Sequence, residues 1–225
     1  MEQPSNFIIR AENLGKRVSA PAGDLTILED INLAVNYGES VAVTGVSGSG
    51  KSTLLGILAG LDLPSRGKVF LDNTELTALD ETGRAALRNR RVGFIFQSFQ
   101  LLPGLSALEN VMLPLELAGN DAARDLAQAR LDEVGLTHRR AHYPRQLSGG
   151  EQQRVAIARA FAVKPLALFA DEVTGNLDRD SARQVADLLF RLNSEHGATL
   201  LLVTHDAALA GRCHRALTLT GGRLV

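Results

Sequence analysis

The sequence of 225 residues contains one cysteine, Cys213, and its apolar runs are all short. A single cysteine excludes an internal disulfide bond, and the opening MEQPSNFIIR lacks the apolar stretch of a secretory signal, so we expect a cytoplasmic protein. The longest apolar runs, LALFA and LLLV, are far shorter than the roughly 18 residues that a membrane-spanning helix needs. If the protein serves a membrane, another chain must cross it.

Excess charge of either sign is also lacking. Lys and Arg number 24 against 25 Asp and Glu, which gives a net charge of -1. Such a balance supplies no broad positive field for nucleic acid, so we expect no nucleic-acid partner and only local binding of anions. The apolar fraction of 45% and the charged fraction of 22% are typical of a globular protein and exclude a disordered chain.

The pattern of apolar residues and turn signals predicts strands and helices in alternation. Short strands dominate residues 7–43, a helix follows the glycine-rich GVSGSGKS, and a helical pattern fills residues 97–165. We therefore expect one domain over 1–225, with an α/β core from 1–96 and 166–225 and an inserted helical lobe. The C-terminal part predicts the strand LALFA, a helix over 179–196, the strand TLLLVT, a short helix over 206–210 and the hairpin ALTLTGGRLV.

The segment GVSGSGKS, from Gly45 to Ser52, lies between the strand SVAVT and the helix TLLGILAGL. Its glycines let backbone N–H groups close around phosphate oxygens at a helix N-terminus. In this pattern Lys51 reaches the β- and γ-phosphates, and the hydroxyl of Ser52 ligates Mg²⁺. A glycine-rich turn with an exposed lysine is the alternative, and the strand–loop–helix setting disfavours it.

Two adjacent carboxylates, Asp171 and Glu172, follow the buried strand LALFA. Neighbouring like charges repel, which destabilises the pair unless a cation lies beside it. An acid at the end of such a strand can hold Mg²⁺ through water, which leaves Glu172 to polarise an attacking water. The alternative is a surface acid pair that opens the next helix, favoured by the helix dipole.

The segment LSGGEQQR, from Leu147 to Arg154, precedes the helical pattern VAIARAFAV. Ser148 is a good N-cap, and Gly149 and Gly150 leave the first amides of the helix bare, so this helix start is a second anion-binding end. One chain does not need two separate phosphate sites for one nucleotide.

Taken in order, GVSGSGKS, Gln97 after an apolar strand, LSGGEQQR, LALFADE, GNLD and His205 after LLLVT resemble the ATP-binding subunits of ATP-binding cassette (ABC) transporters. The resemblance covers essentially the whole chain. It implies a P-loop NTPase core of the α/β class, with an N-terminal antiparallel β region and an inserted α-helical subdomain. It further implies an ATPase that uses ATP and Mg²⁺ and that sandwiches two ATP molecules in a head-to-tail homodimer.

The resemblance also assigns roles to residues of this sequence. Glu172 is implied as general base, Gln97 as sensor of metal and water, and His205 as a contact of the γ-phosphate, although a histidine standing alone is more often structural. Asp171, Ser52 and Gln97 are implied on the metal side, and Asp178 across the dimer interface. The implied nucleotide-binding residues are Gly45, Val46, Ser47, Gly48, Ser49, Gly50, Lys51, Ser52, Thr53, Ser148, Gly149, Gly150 and Asp178.

Two positions depart from the family pattern. Val173 follows Glu172 where the family usually has proline, which would fix φ near −65° and stiffen the setting of Glu172. We expect hydrolysis to persist with a modest loss of rate, because both carboxylates remain. Val18 stands near the position of the aromatic residue that commonly stacks on adenine, and a valine offers less stacking area.

Within the family, GLDLPSRGKV, GFIFQSFQLLPGLSALENVMLPL and DEVTGNLD resemble the branch of the LolD, MacB and FtsE types. The likeness implies a permease with a large periplasmic region as partner, and export or extraction of lipophilic or lipoprotein-like cargo. The chain is then peripheral on the cytoplasmic face of the inner membrane. The apolar residues after Gln97 form either the core of the helical lobe or a groove for a permease helix.

Three other functions remain to be compared with a transport motor. A nucleotide-gated scaffold that scarcely hydrolyses ATP is disfavoured by Glu172 and His205. A soluble ABC ATPase acting on DNA or ribosomes is disfavoured by the balanced charge and the single cassette. A small-molecule kinase with a phosphate loop leaves LSGGEQQR unexplained.

Overall fold

The computed structural model describes residues 6–20 and 23–225. These residues form two compact units: a terminal unit, with the described residues up to Arg88 and Thr199–Val225, and a central unit, Asn89–Ala198. The strands and helices in chain order are β1 (Phe7–Ala20), β2 (Gly23–Asn36), β3 (Ser40–Thr44), α1 (Lys51–Leu58), β4 (Arg66–Leu71), β5 (Thr74–Glu75), α2 (Glu81–Arg91), β6 (Val92–Ile95), α3 (Ala107–Leu117), α4 (Ala123–Glu133), α5 (Gly149–Phe161), β7 (Ala167–Asp171), α6 (Arg179–His196), β8 (Thr199–Val203), α7 (Ala207–Ala210), β9 (Arg215–Thr220) and β10 (Arg223–Leu224). Short 3₁₀ helices cover Leu76–Ala78, Thr137–Arg139 and Pro144–Gln146.

An antiparallel sheet in the order β2-β1-β4-β5 belongs to the terminal unit. β1 and β2 form a long hairpin in which Val18 lies opposite Leu25, and register shifts interrupt the pairing between Ala11 and Arg17. Leu14 is buried, whereas Val18 is exposed. The predicted β-rich opening is confirmed. Backbone pairing continues as far as Ala20 and Gly23, so both strands extend beyond their apolar residues.

The other strands of the terminal unit run in the order β10-β9-β3-β8. β3 pairs in parallel with β8 on one side and with β9 on the other, and β9 and β10 form an antiparallel hairpin. All of β8 and most of β3 are buried, as expected for parallel strands that are covered on both faces. Since β3 and β8 are parallel neighbours, the loops that follow them begin at the same edge of the sheet.

The central unit combines the parallel strands β6 and β7 with helices α3 to α6. Helix α6 begins at an N-cap, Asp178, whose side chain accepts hydrogen bonds from the N–H groups of Asp180 and Ser181. It ends at Gly197, which has a left-handed backbone with φ of 64°. These two caps explain why the predicted helix 179–196 matches α6 in both bounds.

The mixed α/β content, the antiparallel region at the start of the chain and the strand–loop–helix around Gly45 confirm the predicted fold class. Helices α3, α4 and α5 follow one another between β6 and β7. None of the helices in the described parts of the chain combines the length and the apolar character needed to cross a bilayer.

Candidate functional site

The loop from Gly45 to Gly50 connects β3 to α1 in the terminal unit. Gly45, Gly48 and Gly50 have φ values of 145°, 78° and 100°, which residues with a side chain rarely adopt. A Cβ atom on Gly45 would lie 2.3 Å from the carbonyl oxygen of Leu219. Glycine is therefore required here both by conformation and by space.

Lys51 is the first residue of α1, and its side chain is buried against this loop. Its Nζ donates hydrogen bonds to the carbonyl oxygens of Gly45 and Val46 at 2.9 and 3.0 Å. Gly50 is the N-cap of α1, and among the described residues no side chain caps that helix. The buried Oγ of Ser49 likewise has no hydrogen-bond partner in the described part of the chain. Bare amides, an ammonium group and an unsatisfied hydroxyl together fit the oxygens of a phosphate group.

The remaining loop residues predicted to bind nucleotide differ in exposure. Val46 is 75% exposed, and Ser47 is exposed as well, so the aliphatic side chain of Val46 adds little to a phosphate site. Ser52 is exposed and Thr53 is half-buried in the first turn of α1. The loop therefore presents the Ser52 hydroxyl at the surface, where a metal ligand would be accessible.

His205 follows β8 and is exposed. In the parallel pairing Val43 of β3 lies opposite Val203 of β8, and the Thr204 N–H donates to the carbonyl oxygen of Val43 at 3.2 Å. The loop that contains His205 therefore begins at the same sheet edge as the glycine loop. The next residue, Asp206, caps α7 by accepting a hydrogen bond from the Ala208 N–H at 2.7 Å. This cap fixes the backbone directly after the histidine.

In the central unit, Gln97 and the two carboxylates lie at the ends of neighbouring strands. Ile95 of β6 lies opposite Ala170 of β7, so Gln97 and Asp171 both come just after this paired position. Asn176 donates from Nδ2 to the Gln97 carbonyl oxygen at 3.0 Å, and Gln97 Nε2 lies 3.4 Å from Asn176 Oδ1. The structure therefore brings Gln97, Asp171 and Glu172 together, and Asn176 ties their two loops to each other.

Glu172 has a φ of 43°, in the left-handed region that side chains rarely occupy. Its carbonyl oxygen accepts a hydrogen bond from the Gly175 N–H at 2.9 Å, which closes a tight turn. Val173, in the middle of that turn, is 2% exposed. The valine that replaces the family proline is thus anchored in the core by its side chain, which helps to hold the neighbouring Glu172.

The second anion-binding end is the start of α5. Ser148 is its N-cap: Ser148 Oγ accepts from the Glu151 N–H at 3.2 Å, and Glu151 Oε2 accepts from the Ser148 N–H at 2.8 Å. A Cβ on Gly150 would lie 3.1 Å from Ser181 Oγ, and one on Gly149 would lie 3.3 Å from Leu177 Cδ2. Small residues are therefore needed where α5 starts beside the start of α6.

Asp178 has a local role that the sequence analysis missed. Hydrogen bonds from the side chain and backbone of Ser181, and from the backbone of Asp180, hold the pKa of Asp178 below its usual range. As N-cap of α6 it stabilises that helix within its own unit. The placement of Asp178 across a dimer interface remains a prediction.

Arg159 is a second residue that sequence reasoning missed. Its guanidinium donates to the carbonyl oxygens of Phe99 and Gln100 at 2.9 and 2.7 Å. Both acceptor residues have left-handed backbones, with φ of 61° and 47°. The arginine thereby fixes the loop after Gln97 from helix α5, and no pattern in the sequence links positions so far apart.

A groove of about 260 Å³ opens in the central unit beside this loop. The rings of Phe94 and Phe96 stack within it, with centroids 4.1 Å apart, and Leu117 of α3 is 70% exposed. The lining residues are Asn89, Val92, Gly93, Phe94, Phe96, Gln100, Leu113, Pro114, Leu117, Arg159, Ala160 and Val163. The apolar segment after Gln97 thus contributes both buried residues and part of an open groove.

Near the other end of β3, Cys213 lies against Ser40, whose Oγ is 2.7 Å from His214 Nδ1. Burial raises the pKa of Cys213 to about 11, although a hydrogen bond with Ser40 and the charge of Arg212 lower it. We expect iodoacetamide at pH 7.5 to alkylate the folded protein about a hundredfold more slowly than the protein in denaturant, because the thiolate is the nucleophile. Mass spectrometry of timed samples measures both rates, and equal rates would contradict the burial of this thiol.

Comparison with known proteins gives consistent matches over nearly the whole chain. The profile of the family described as ABC transporter matches residues 28–175. The chain is 54% identical over 223 residues to the Uncharacterized ABC transporter ATP-binding protein YbbA of Escherichia coli strain K12, covering 98% of both proteins. It is 49% identical over 218 residues to the Lipoprotein-releasing system ATP-binding protein LolD of Bordetella pertussis, covering 96% of this chain and 94% of that one. A dimeric structure of a post-hydrolysis state of the ATP-binding cassette MJ0796 bound to ADP and Pi matches with a TM-score of 0.89 and 39% identity, covering 96% of each chain.

Proposed function

Because this chain belongs to the ABC transporter family, whose ATP-binding cassettes are ATPases, we propose that its hydrolysis of ATP drives a partner permease in the membrane. The match to LolD also confirms the predicted branch of the family. The observation that carries the proposal is the glycine loop with its buried Lys51 and the uncapped start of α1, which suit the phosphates of a nucleotide.

In the proposed site, the terminal unit binds the triphosphate. Backbone N–H groups of the loop and Lys51 neutralise the phosphates, and Ser52 offers its hydroxyl to Mg²⁺. His205 is proposed to contact the γ-phosphate. The loop that contains it begins at the same sheet edge as the glycine loop, which supports this role. The proposed binding residues of the loop are Gly45, Val46, Ser47, Gly48, Ser49, Gly50, Lys51, Ser52 and Thr53.

The central unit supplies the residues for hydrolysis. Glu172 accepts a proton from the attacking water, and the turn closed by Gly175 fixes the backbone from which this side chain extends. Asp171 and Gln97 are proposed on the metal side with Ser52, and the bound Mg²⁺ supplies neutralisation of the phosphate charge. The contacts of Asn176 with Gln97 support a shared setting for these side chains.

Two copies of the chain act together in this proposal. Ser148, Gly149 and Gly150 of one copy bind the nucleotide that the glycine loop of the other copy holds, and Asp178 lies at the interface. The dimeric cassette MJ0796, bound to ADP and Pi, supports pairing of this kind. The amides of Gly149 and Gly150 at the start of α5 and the hydroxyl of Ser148 are the proposed donors.

The partner is proposed to be an integral membrane permease with a periplasmic region. The relative LolD belongs to a lipoprotein-releasing system, so we propose lipophilic or lipoprotein-like cargo that is extracted or exported. The chain then lies on the cytoplasmic face of the inner membrane and touches the membrane only through the permease. The apolar groove beside Phe94 and Leu117 suits an amphipathic helix of such a partner.

A charged residue in the groove is expected to weaken the binding of the permease to this chain. Leu117→Asp should lose the permease when the tagged chain is purified from detergent-solubilised membranes of the source cells, because a carboxylate in an apolar contact is unfavourable. Leu61→Asp, at a leucine that is 48% exposed in the other unit, is the matched control and should keep the permease. Retention of the permease by both variants would remove the groove from the proposal.

An aromatic residue at position 18 is expected to tighten nucleotide binding. Val18 and Leu25 are 39% and 55% exposed on neighbouring strands, and β2 approaches the glycine loop at Ile27, whose carbonyl oxygen would lie 3.0 Å from a Cβ on Gly50. Val18→Tyr should raise ATP affinity about three- to tenfold through stacking, whereas Val18→Leu should change it little. Competition of ATP and GTP with a fluorescent nucleotide analogue measures both affinity and base preference. Equal ATP affinity of the tyrosine and leucine variants would show that the adenine base does not lie at this position.

The test of the proposed function is Mg²⁺-dependent ATP turnover by the purified chain, with and without the co-purified permease. Turnover that is lost in Lys51→Ala supports a transport motor. Nucleotide-dependent pairing without turnover in either preparation would instead favour the scaffold that gates a membrane partner.

A further inference from the structure

The start of α5 carries one contact that the proposed function does not use. Arg139, at the end of the 3₁₀ helix Thr137–Arg139, donates from Nε to Glu151 Oε1 at 3.0 Å. Its Nη1 lies 3.1 Å from His142 Nε2, and the backbone carbonyl of His142 accepts from the Ala107 N–H at 2.8 Å. The guanidinium is therefore held between the first turn of α5 and a segment that is fixed to the start of α3.

A second capping box in the same unit shows what this arginine changes. At the start of α3, Glu109 Oε2 accepts both from the Ser106 N–H and from the Ser106 hydroxyl, each at 2.7 Å. At the start of α5, Glu151 Oε2 accepts from the Ser148 N–H, and Oε1 accepts from Arg139. The Ser148 hydroxyl also contributes a hydrogen bond to the Glu151 carboxylate, so what distinguishes the α5 capping box is the arginine cation on Oε1.

The charge of Glu151 matters because the carboxylate lies in the first turn of the helix whose start is the proposed phosphate site. A carboxylate in the first turn of a helix competes with any anion for the free amides and repels it. Burial opposes ionisation of this group, but hydrogen bonds from Ser148 and from Arg139, together with the Arg139 charge, hold the pKa of Glu151 below its usual range. Arg139 thus faces a glutamate that is ionised at neutral pH, and its cation offsets that charge beside the anion-binding end.

We propose that Arg139 is a positioning residue of the ATP-bound dimer: by pairing with the Glu151 carboxylate, it offsets a negative charge beside the α5 end that meets the γ-phosphate bound by the other copy. This inference rests on the proposed function. It assigns no direct contact between Arg139 and the nucleotide. Without the arginine, the uncompensated charge of Glu151 is expected to repel the γ-phosphate.

The test measures ATP-driven dimerisation by analytical ultracentrifugation in a Glu172→Gln background, where ATP is retained. Adding Arg139→Ala should weaken the dimer about tenfold, because the negative charge of Glu151 is left uncompensated beside the phosphate. Arg139→Lys keeps the cation and should retain most of the affinity. Arg145→Ala, an exposed arginine in the following 3₁₀ helix, is the control and should match the background. Thermal melting checks that each variant is folded.

The decisive variant combines Arg139→Ala with Glu151→Gln. Glutamine keeps an acceptor for the Ser148 N–H but carries no charge, so it should restore most of the lost dimer affinity. Dimer affinity that Arg139→Ala leaves unchanged, or that Glu151→Gln fails to restore, would overturn the inference and leave the proposed function intact. A Glu172→Gln background that does not dimerise with ATP would overturn the proposed function and this inference with it.

Discussion

Replacing Glu172 by glutamine is expected to lower ATP turnover by about 10²–10⁴ and to leave ATP bound in a stable dimer. The amide cannot accept a proton from water, while the shape of the side chain is unchanged. Since the turn closed by Glu172 and Gly175 uses only backbone atoms, the substitution leaves that hydrogen bond in place. The loss therefore reports proton transfer and not the local fold.

Turnover is measured by release of phosphate, and the dimer by size-exclusion chromatography with ATP and Mg²⁺. The control is Glu195→Gln, which replaces an exposed glutamate on α6 and should behave as the unmodified chain. If Glu172→Gln turns over ATP at the normal rate, another residue is the base.

A negative charge at Ser148 is expected to abolish ATP-driven pairing, by about a hundredfold or more in the dimer dissociation constant. Aspartate and asparagine both cap helices as well as serine does, so both replacements preserve the start of α5. They differ in charge, and two like charges about 4 Å apart repel with about 4 kcal/mol at an effective dielectric constant of 20. Ser148→Asp should therefore fail to dimerise, while Ser148→Asn should retain most of the pairing.

The comparison of these two variants separates the phosphate contact from the structural cap. Binding of ATP to the monomer should be the same in both, because the proposal places Ser148 on the nucleotide of the other copy. Equal dimer affinity of Ser148→Asp and Ser148→Asn would show that this helix end does not meet an anion.

The sequence was informative where chemistry depends on neighbouring residues. The glycine loop could be predicted because positive φ values and a close approach to Leu219 demand glycine at fixed positions. The bounds of α6 could be predicted because a helical pattern of apolar residues covers 179–196, and the caps at Asp178 and Gly197 end the helix where that pattern ends. The strands β3, β7 and β8 could be predicted because buried parallel strands form continuous apolar runs.

Contacts between distant positions could not be predicted in this way. The bonds of Asn176 to Gln97 and of Arg159 to the loop after it join residues that are far apart in sequence, and they depend on how strands and helices pack. The left-handed backbone of Glu172 also has no local signal, because non-glycine residues adopt it only when the surroundings impose it. The predicted role of Asp178 at a dimer interface rests on family likeness alone, although its position before a helix also indicates an N-cap.

Mixing two inactive variants tests most directly the central claim, that each nucleotide is held by the glycine loop of one copy and the α5 end of the other. Lys51→Ala and Ser148→Asp, each in a Glu172→Gln background and one of them carrying a larger tag, are examined by size-exclusion chromatography with ATP. Neither variant alone should pair, but the mixture should form a mixed dimer with one ATP bound. Its one complete site combines the intact glycine loop of the Ser148→Asp chain with the intact α5 end of the Lys51→Ala chain. Failure of the mixture to pair, or pairing of Ser148→Asp with itself, would contradict the claim.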